Sequence, residues 1–242
     1  MAHWNMKLRP YYLARPRLWR VERLRMIDDR TVVSRTWKYV YVRVPKSANS
    51  SVMTALLERF PEPGLDPARL ERAKLDSTHF RDLGPLDLLR IPRYFHFSVV
   101  RNPYGRVLSA YLDKYQEGDK HRAAYGDRVA SYDGGAISFR AFCRYLADGG
   151  EAENAHWMRQ SRILDLADRM DFVGKLESLD ADLEAIFARI GGAGPDAIPR
   201  AGPPATAASS KVRQYYDAES ASLVERVYRE DFERFGYATG LA

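Results

Sequence analysis

The chain has a single cysteine and no long apolar run, and each absence excludes a class of protein. Among its 242 residues only Cys143 carries a thiol, so no internal disulfide can form and nothing calls for an oxidising compartment. No stretch approaches the roughly 18 apolar residues of a membrane span, and the N-terminus lacks the apolar run of a signal peptide. From these absences we expect a cytoplasmic protein.

The net positive charge outside the N-terminal segment is small, because basic and acidic residues nearly balance there. The formal net charge is +6, and residues 1–30 supply +5 of it through eight Lys or Arg against three acids. The same segment carries aromatic residues, among them Tyr11, Tyr12 and Trp19. Basic residues interleaved with aromatics suit nucleic acid, an anionic membrane surface or an acidic polysaccharide. We favour the alternative that the segment is an arm packed on the domain, expect no nucleic-acid partner, and keep peripheral membrane contact open.

Strand-like and helix-like segments alternate along the rest of the chain. We predict strands over residues 39–44, 94–100 and 171–175, and we predict helices over 52–60, 103 to 115 or 116, 138–147, 179–190 and 217–235. We interpret residues 117–137 as a solvent-exposed excursion from the domain, and residues 191–210 as a loop. This alternation predicts an α/β domain with a mainly parallel central sheet flanked by helices, which binds ligands at the carboxyl ends of its strands. We expect residues 1–37 to form the basic arm and residues 38–242 to form that single domain.

Two strand-to-helix junctions carry the most specific signal. The first ends a strand at Val44-Pro-Lys46 and opens a helix with Ser47, Asn49, Ser50 and Ser51. The second ends a strand at Val100-Arg101, where Asn102-Pro103 begins a helix that carries Ser109 about two turns on. A helix N-terminus presents free N–H groups to an anion. Two such junctions on one sheet predict a ligand with two anionic ends.

Glycine is missing from the first junction, and this absence excludes a nucleotide-triphosphatase loop there. A nucleotide-triphosphatase loop has the pattern G-x-x-x-x-G-K-[ST], whereas Lys46 here precedes a glycine-free loop and no acidic strand end offers a metal ligand. An atypical phosphotransferase that uses ATP and magnesium is therefore the weaker enzyme alternative. A basic protein that binds nucleic acid or another anionic polymer through residues 1–30 is the alternative from another class.

Both junctions resemble motifs of a known family. Arg43-Val-Pro-Lys-Ser-Ala-Asn-Ser-Ser51 resembles the 5′-phosphosulfate loop of carbohydrate sulfotransferases, and Val100-Arg-Asn-Pro-Tyr-Gly-Arg-Val-Leu-Ser-Ala-Tyr111 resembles their 3′-phosphate motif. The resemblance is to the membrane-associated branch with the heparan 2-O- and chondroitin-type enzymes, in a shorter, bacterial-looking form without the anchor. It runs from about residue 38 to residue 237.

The resemblance implies a P-loop-like sulfotransferase fold and a donor, 3′-phosphoadenosine 5′-phosphosulfate (PAPS), used without a metal. It places Lys46, Ser47, Ala48, Asn49, Ser50 and Ser51 on the 5′ end of the donor, and Arg101 and Ser109 on its 3′-phosphate. Lys211 or Arg213, after the long loop, is implied to reach the same nucleotide. The acceptor is then a hydroxyl of a sugar or glycan.

Transfer to a hydroxyl also needs a base and an acceptor surface. His79 lies between the two motifs and resembles the histidine that the heparan 2-O branch uses as base, while Lys46 suits the charge on the leaving phosphate. His156 is the rival base. It belongs with Trp157 and Gln160 to a stretch that we interpret either as an acceptor site, with Trp157 as a stacking platform, or as core packing.

Overall fold

A four-stranded sheet is central to this computed structural model, which describes residues 2–115, 119–191 and 207–241. Its order is β1-β2-β3-β4. The strands are β1 (Thr31–Ser34), β2 (Tyr39–Val42), β3 (Phe95–Val100) and β4 (Phe172–Lys175). β1 pairs with β2 antiparallel, whereas β2, β3 and β4 are parallel. The predicted α/β class with a mainly parallel sheet is confirmed, and β1 is an addition that the sequence pattern did not predict.

The helices divide between two compact units. One unit comprises the described residues of Met1–Val100 and Arg162–Gly202, the other those of Arg101–Ser161 and Pro203–Ala242. The first unit holds the sheet with α1 (Ala2–Lys7), α2 (Pro10–Leu13), α3 (Leu24–Asp28), α4 (Asn49–Arg59), α5 (Leu70–Asp76), α6 (Pro85–Arg90) and α11 (Leu179–Ile190). The second holds α7 (Pro103–Lys114), α8 (Lys120–Ala130), α9 (Phe139–Ala147), α12 (Ala208–Tyr215), α13 (Ala218–Val227) and α14 (Arg229–Phe235). The short helix α10 (Gln160–Leu164) begins at the end of the second unit's first segment.

The first unit packs its aromatic strand residues under α4 and α11. The parallel register sets Tyr41 of β2 opposite Phe97 of β3, and their rings stack with centroids 4.9 Å apart. Val52 and Leu56 of α4, together with Phe187 of α11, are buried in the same cluster. This burial fixes where β2 ends and α4 begins, and so it fixes the loop that carries Lys46.

The second unit has an aromatic core around Trp157. Its indole is fully buried among the rings of Tyr115, Phe142 and Tyr145, and its Nε1–H donates to the Gly150 carbonyl at 2.9 Å. Tyr228 closes the cluster by donating its hydroxyl to the Trp157 carbonyl. The core therefore holds the chain around residues 154–160 rigidly.

Several predicted elements need correction in the described part of the chain. The excursion at residues 117–137 contains helix α8, capped by Asp119, whose carboxylate accepts from the His121 N–H. The predicted final helix is two helices, α13 and α14, because the helical conformation is interrupted at Tyr228. Of the predicted loop, residues 208–210 begin α12, and residues 192–206 lie outside the described residues. No helix within the described ranges is long and apolar enough to cross a membrane.

Candidate functional site

The loop between β2 and α4 carries the first predicted site. Lys46 has φ = 69° and Ala48 has φ = 55°, so two non-glycine residues, two positions apart, adopt the left-handed conformation. Such a conformation costs about 1–3 kcal/mol per residue, so the surrounding structure must hold these two residues in place. Left-handed residues in a turn gather backbone N–H groups into a concavity that binds anions. The loop therefore has the backbone geometry of an anion cradle without containing a glycine.

The first turn of α4 completes this cradle. α4 runs for 11 residues from Asn49, and Ala48 at its N-cap position offers no side-chain acceptor. The first N–H groups of a helix have no acceptor within the helix and carry partial positive charge. The Asn49 side-chain oxygen is buried there without a hydrogen-bond partner, and Ser47 is buried as well. The Asn49 oxygen only accepts hydrogen bonds, so the backbone N–H groups at the start of α4, rather than that oxygen, suit an oxyanion.

His79 lies at the same edge of the sheet. It is only 1% exposed, and its Nδ1 lies 2.6 Å from the Thr31 carbonyl oxygen. Thr31 pairs with Val42, the last residue of β2, which places His79 beside the strand end that leads to Lys46. Because a carbonyl oxygen only accepts, Nδ1 carries the proton and Nε2 keeps its lone pair. Burial, and then the charge of Arg81, lower the pKa of His79. The lowered pKa favours the neutral imidazole, in which Nε2 is the basic nitrogen.

Arg101 and Ser109 lie in the second unit. Arg101 is 8% exposed, and its Nη2 donates to the Ser209 hydroxyl of α12 at 2.9 Å. Asn102 caps α7 as predicted, since its side chain accepts the Tyr104 N–H at 3.0 Å. Ser109 is buried in the second turn of the same helix. Lys211 and Arg213 are exposed on α12, and it is Ser209, a residue not singled out from the sequence, that contacts Arg101.

Gly105 makes room for the Arg101 side chain. A Cβ at this position would lie 3.2 Å from Arg101 Nε and 3.4 Å from the Ser209 hydroxyl oxygen. Glycine inside a helix costs about 1 kcal/mol relative to alanine, so a helical glycine needs a packing reason. Its reason here is the guanidinium that lies against it.

Gln160 supports the main chain at Arg101. Its Oε1 accepts the Arg101 N–H at 2.9 Å, and its Nε2–H donates to the Arg101 carbonyl at 2.8 Å. Asp231 in turn accepts the backbone N–H groups of Gln160 and Ser161, each at 2.8 Å. Gln160 and Asp231 are fully buried, so their contacts fix the position of Arg101.

Burial distinguishes the members of the predicted acceptor stretch. Trp157 and Gln160 are 0% exposed, which favours the packing alternative over a stacking platform or a reader of sugar hydroxyls. His156 is half-buried, with its Nδ1 2.8 Å from the Asn154 side-chain oxygen and its ring 5.0 Å from that of His121. Of the three residues, His156 alone is partly exposed. Arg106 is buried too, and it donates to the carbonyls of Met158 and Ala155 at 2.7 and 3.1 Å.

The described ranges contain no group of three or more His, Cys, Asp or Glu side chains placed to hold a metal ion. Cys143 is buried in the aromatic core of the second unit, as expected for a packing residue. His96 is buried in β3 with its Nε2 2.9 Å from the Ile91 carbonyl oxygen, a structural contact. These residues belong to the fold rather than to the candidate site.

Comparison with known proteins gives the same assignment as the two motifs. The model of the sulfotransferase family matches residues 29–238. Human carbohydrate sulfotransferase 14 is 32% identical over 174 residues, 64% of this chain and 45% of the relative, and the Danio rerio protein of that name is 30% identical over 171 residues. Carbohydrate sulfotransferase 10 of Xenopus laevis is 24% identical over 248 residues, 88% of this chain and 68% of the relative. No solved structure gives a significant match.

The chain spans less than half the length of the first of these relatives. The family match itself covers most of the chain, from just before β1 to just after α14, and includes both junction motifs. The resemblance to carbohydrate sulfotransferases is thereby confirmed. The chain belongs to the sulfotransferase family.

Proposed function

We propose that the protein transfers a sulfuryl group from PAPS to a hydroxyl of a sugar or glycan. The observation that carries the proposal is the buried imidazole of His79, held through its Nδ1 by the Thr31 carbonyl at the sheet edge where the Lys46 cradle begins. The family match and the carbohydrate sulfotransferases among the relatives support the donor and the acceptor class.

The donor residues follow from the two motifs. Lys46 and residues 47–51 bind the 5′-phosphosulfate, with backbone N–H groups of the cradle facing its oxygens. Arg101 and Ser109 bind the 3′-phosphate, where the planar guanidinium matches a phosphate. Lys211 contributes a further charge to the nucleotide. No step of this proposal requires a metal ion.

The reaction assigns one task to each of two residues. His79 Nε2 takes the proton of the acceptor hydroxyl as its oxygen bonds to sulfur. The bond between sulfur and the bridging oxygen of the 5′-phosphate breaks, and Lys46 stabilises the charge that develops on that oxygen. The products are the sulfate ester and adenosine 3′,5′-bisphosphate.

Thermal denaturation with different nucleotides tests the donor. A ligand that binds only the folded protein raises its melting temperature. We expect a rise with adenosine 3′,5′-bisphosphate and none with ATP and magnesium. A rise with ATP and magnesium alone would replace the sulfotransferase with the phosphotransferase alternative.

Variants then separate binding from chemistry. Arg101→Ala should weaken nucleotide binding, whereas His79→Ala should retain binding and lose transfer of labelled sulfate to glycan acceptors. Lys46→Ala should reduce transfer by about 100-fold, as for the loss of one transition-state donor. Lys38→Ala is its matched control, because Lys38 is an exposed lysine with φ = 57° in the β1–β2 turn. Full transfer by His79→Ala would make His156 the leading base.

A further inference from the structure

Lys74 contacts the first turn of α4, and Arg30 and Arg43 lie next to each other where β1 begins and β2 ends. Lys74 of α5 donates from Nζ to the Ser50 hydroxyl oxygen at 2.9 Å and to Glu71 Oε1 at 2.6 Å. Arg43 follows β2, and its backbone N–H donates to the Arg30 carbonyl at 2.7 Å. Burial, and then the charges of Arg43 and Arg30, lower the pKa of Lys74 against the opposing effect of Glu71. The three residues therefore share one electrostatic environment, which we call the α4 cation cluster.

The α4 cation cluster holds more positive charge than its own contacts neutralise. Arg43 is 2% exposed, its Nη2 donates to the Asp29 carbonyl, and its Nε and Nη1 have no hydrogen-bond partner. The Nε of Arg30 is buried without a partner as well. Glu71, the carboxylate paired with Lys74, is 83% exposed, so solvent screens most of its charge. Buried charged donors without acceptors are costly, and an anion bound there would remove that cost.

The direction of the Lys74 hydrogen bond sets the orientation of Ser50. An ammonium group only donates, so the Ser50 oxygen must accept from Lys74 and turn its own proton elsewhere. That proton goes to no other group in the described part of the chain, where Ser50 Oγ appears only as an acceptor. Ser50 is the second residue of α4, where the backbone N–H groups also lack acceptors within the helix. Hydroxyl proton, helix N-terminus and cation cluster all suit one oxyanion.

We propose that Lys74 is a positioning residue for the 5′ end of the donor. It holds the Ser50 hydroxyl as a donor to the 5′-phosphate, while Arg43 and Arg30 supply charge to the same group. The inference rests on the proposed function, and it adds a lysine of α5, 28 positions beyond Lys46, to the residues that the motif assigns.

Two nucleotides that differ only at the 5′ position test the inference. We would measure by calorimetry the affinity of the full chain for adenosine 3′,5′-bisphosphate and for adenosine 3′-monophosphate, which lacks the 5′-phosphate. Lys74→Met should weaken binding of the bisphosphate by about tenfold and leave the monophosphate within about twofold, because one charge-assisted contact to the 5′ group is lost. Lys74→Arg, which still donates to Ser50, should recover most of the bisphosphate affinity.

Two controls separate this role from a structural one. Arg72→Met removes an exposed cation of α5 that pairs with Asp76, and it should change neither affinity. Ser50→Ala should weaken the bisphosphate as Lys74→Met does, and the double variant should be little worse than either single one, since Lys74 acts through Ser50.

Two results would overturn the inference in different ways. If the unaltered protein binds the bisphosphate and Lys74→Met keeps its preference over the monophosphate, then Lys74 does not serve the 5′ end and the proposed donor still stands. If the unaltered protein binds neither nucleotide, the proposed donor itself fails and the role of Lys74 falls with it. Should Lys74→Met not fold, Ser50→Ala gives the same comparison.

Discussion

His79 shows how a single buried contact prepares a residue for proton transfer. The hydrogen bond to the Thr31 carbonyl fixes which ring nitrogen carries the proton, and burial together with Arg81 lowers the pKa. A histidine with its ordinary pKa of 6.5 is partly protonated near neutrality, when it cannot accept a proton. Lowering the pKa therefore keeps more of the protein in the basic form.

The pH dependence of transfer follows from this lowered pKa. Transfer should fall as the pH drops through the pKa of His79, because protonation occupies Nε2, and the midpoint of that acid limb should lie below 6.5. The folded state also binds this proton less readily than the unfolded chain, so stability should decline as the pH falls below 6.5. The measurement is kcat/KM for sulfate transfer between pH 5 and 8.

His96→Asn is the control for this profile, since His96 is another buried histidine that contacts a carbonyl, that of Ile91. The acid limb should keep its midpoint in this variant. A midpoint above 6.5 in the unaltered protein would contradict the assignment of His79 as the base.

The residue types of Trp157 and Gln160 suggested that they bind the acceptor. Their burial indicates instead that Trp157 packs in the core and that Gln160 supports the main chain at Arg101. The sequence shows an indole and an amide in a polar stretch, which suit a sugar, but it does not show that Trp157 is enclosed by Tyr115, Phe142 and Tyr145. Those rings come from segments up to 42 residues away, so the enclosure is tertiary. That Lys46 and Arg101 follow strands was predictable, because the order of a strand and the residues after it is a local property of the sequence.

At the scale of elements, local signals predicted most of the structure. The ends of α7 and α9 agree with their caps, Asn102 and Ser138, and the strands found at β2, β3 and β4 lie within the predicted segments. β1 was missed because its four residues show no alternation of apolar and polar side chains. The segment is a strand because it pairs with β2. α8 was missed because Gly126 and several charged residues weaken a helix that packing supports.

The start of α10 depends on a carboxylate from another helix. Asp231 of α14 accepts the N–H groups of Gln160 and Ser161, which have no acceptor within α10. Asp231→Ala should lower the free energy of unfolding by about 2–3 kcal/mol, because two buried donors lose a charged acceptor. Urea denaturation measures this loss.

Glu230 provides the matched control for that substitution. It is the neighbouring residue, half-exposed, with its Oε2 3.5 Å from Arg159 Nη1. An exposed pair of this kind contributes about 0–1 kcal/mol, so Glu230→Ala should cost much less than Asp231→Ala. Equal losses would show that Asp231 does not act as the cap.

Most of the net charge of the whole molecule comes from a segment whose tyrosines are buried. Residues 1–30 hold +5 of the net +6. Within them Tyr11 stacks on Phe80 at 4.1 Å and donates its hydroxyl to the Leu166 carbonyl at 2.9 Å, while Tyr12 donates to the buried carboxylate of Asp28. The packing interpretation of the arm is confirmed for these two aromatics, whereas the boundary at residue 37 and contact with a membrane stay predictions.

A binding tail and a packed arm respond differently to the same substitutions. A tail would lose its ligand when its charges are removed and would leave the fold unchanged. The arm found here should do the reverse, because its tyrosines are fully buried while Arg9 and Arg20 are exposed. Tyr11→Ala should therefore lower the free energy of unfolding by about 3–5 kcal/mol, the usual cost of emptying an aromatic site. Arg9→Gln with Arg20→Gln should change it by less than about 0.5 kcal/mol. Denaturation curves of both variants distinguish the binding tail from the packed arm. A stable Tyr11→Ala protein would mean that the arm is dispensable to the fold and that its charge needs a partner.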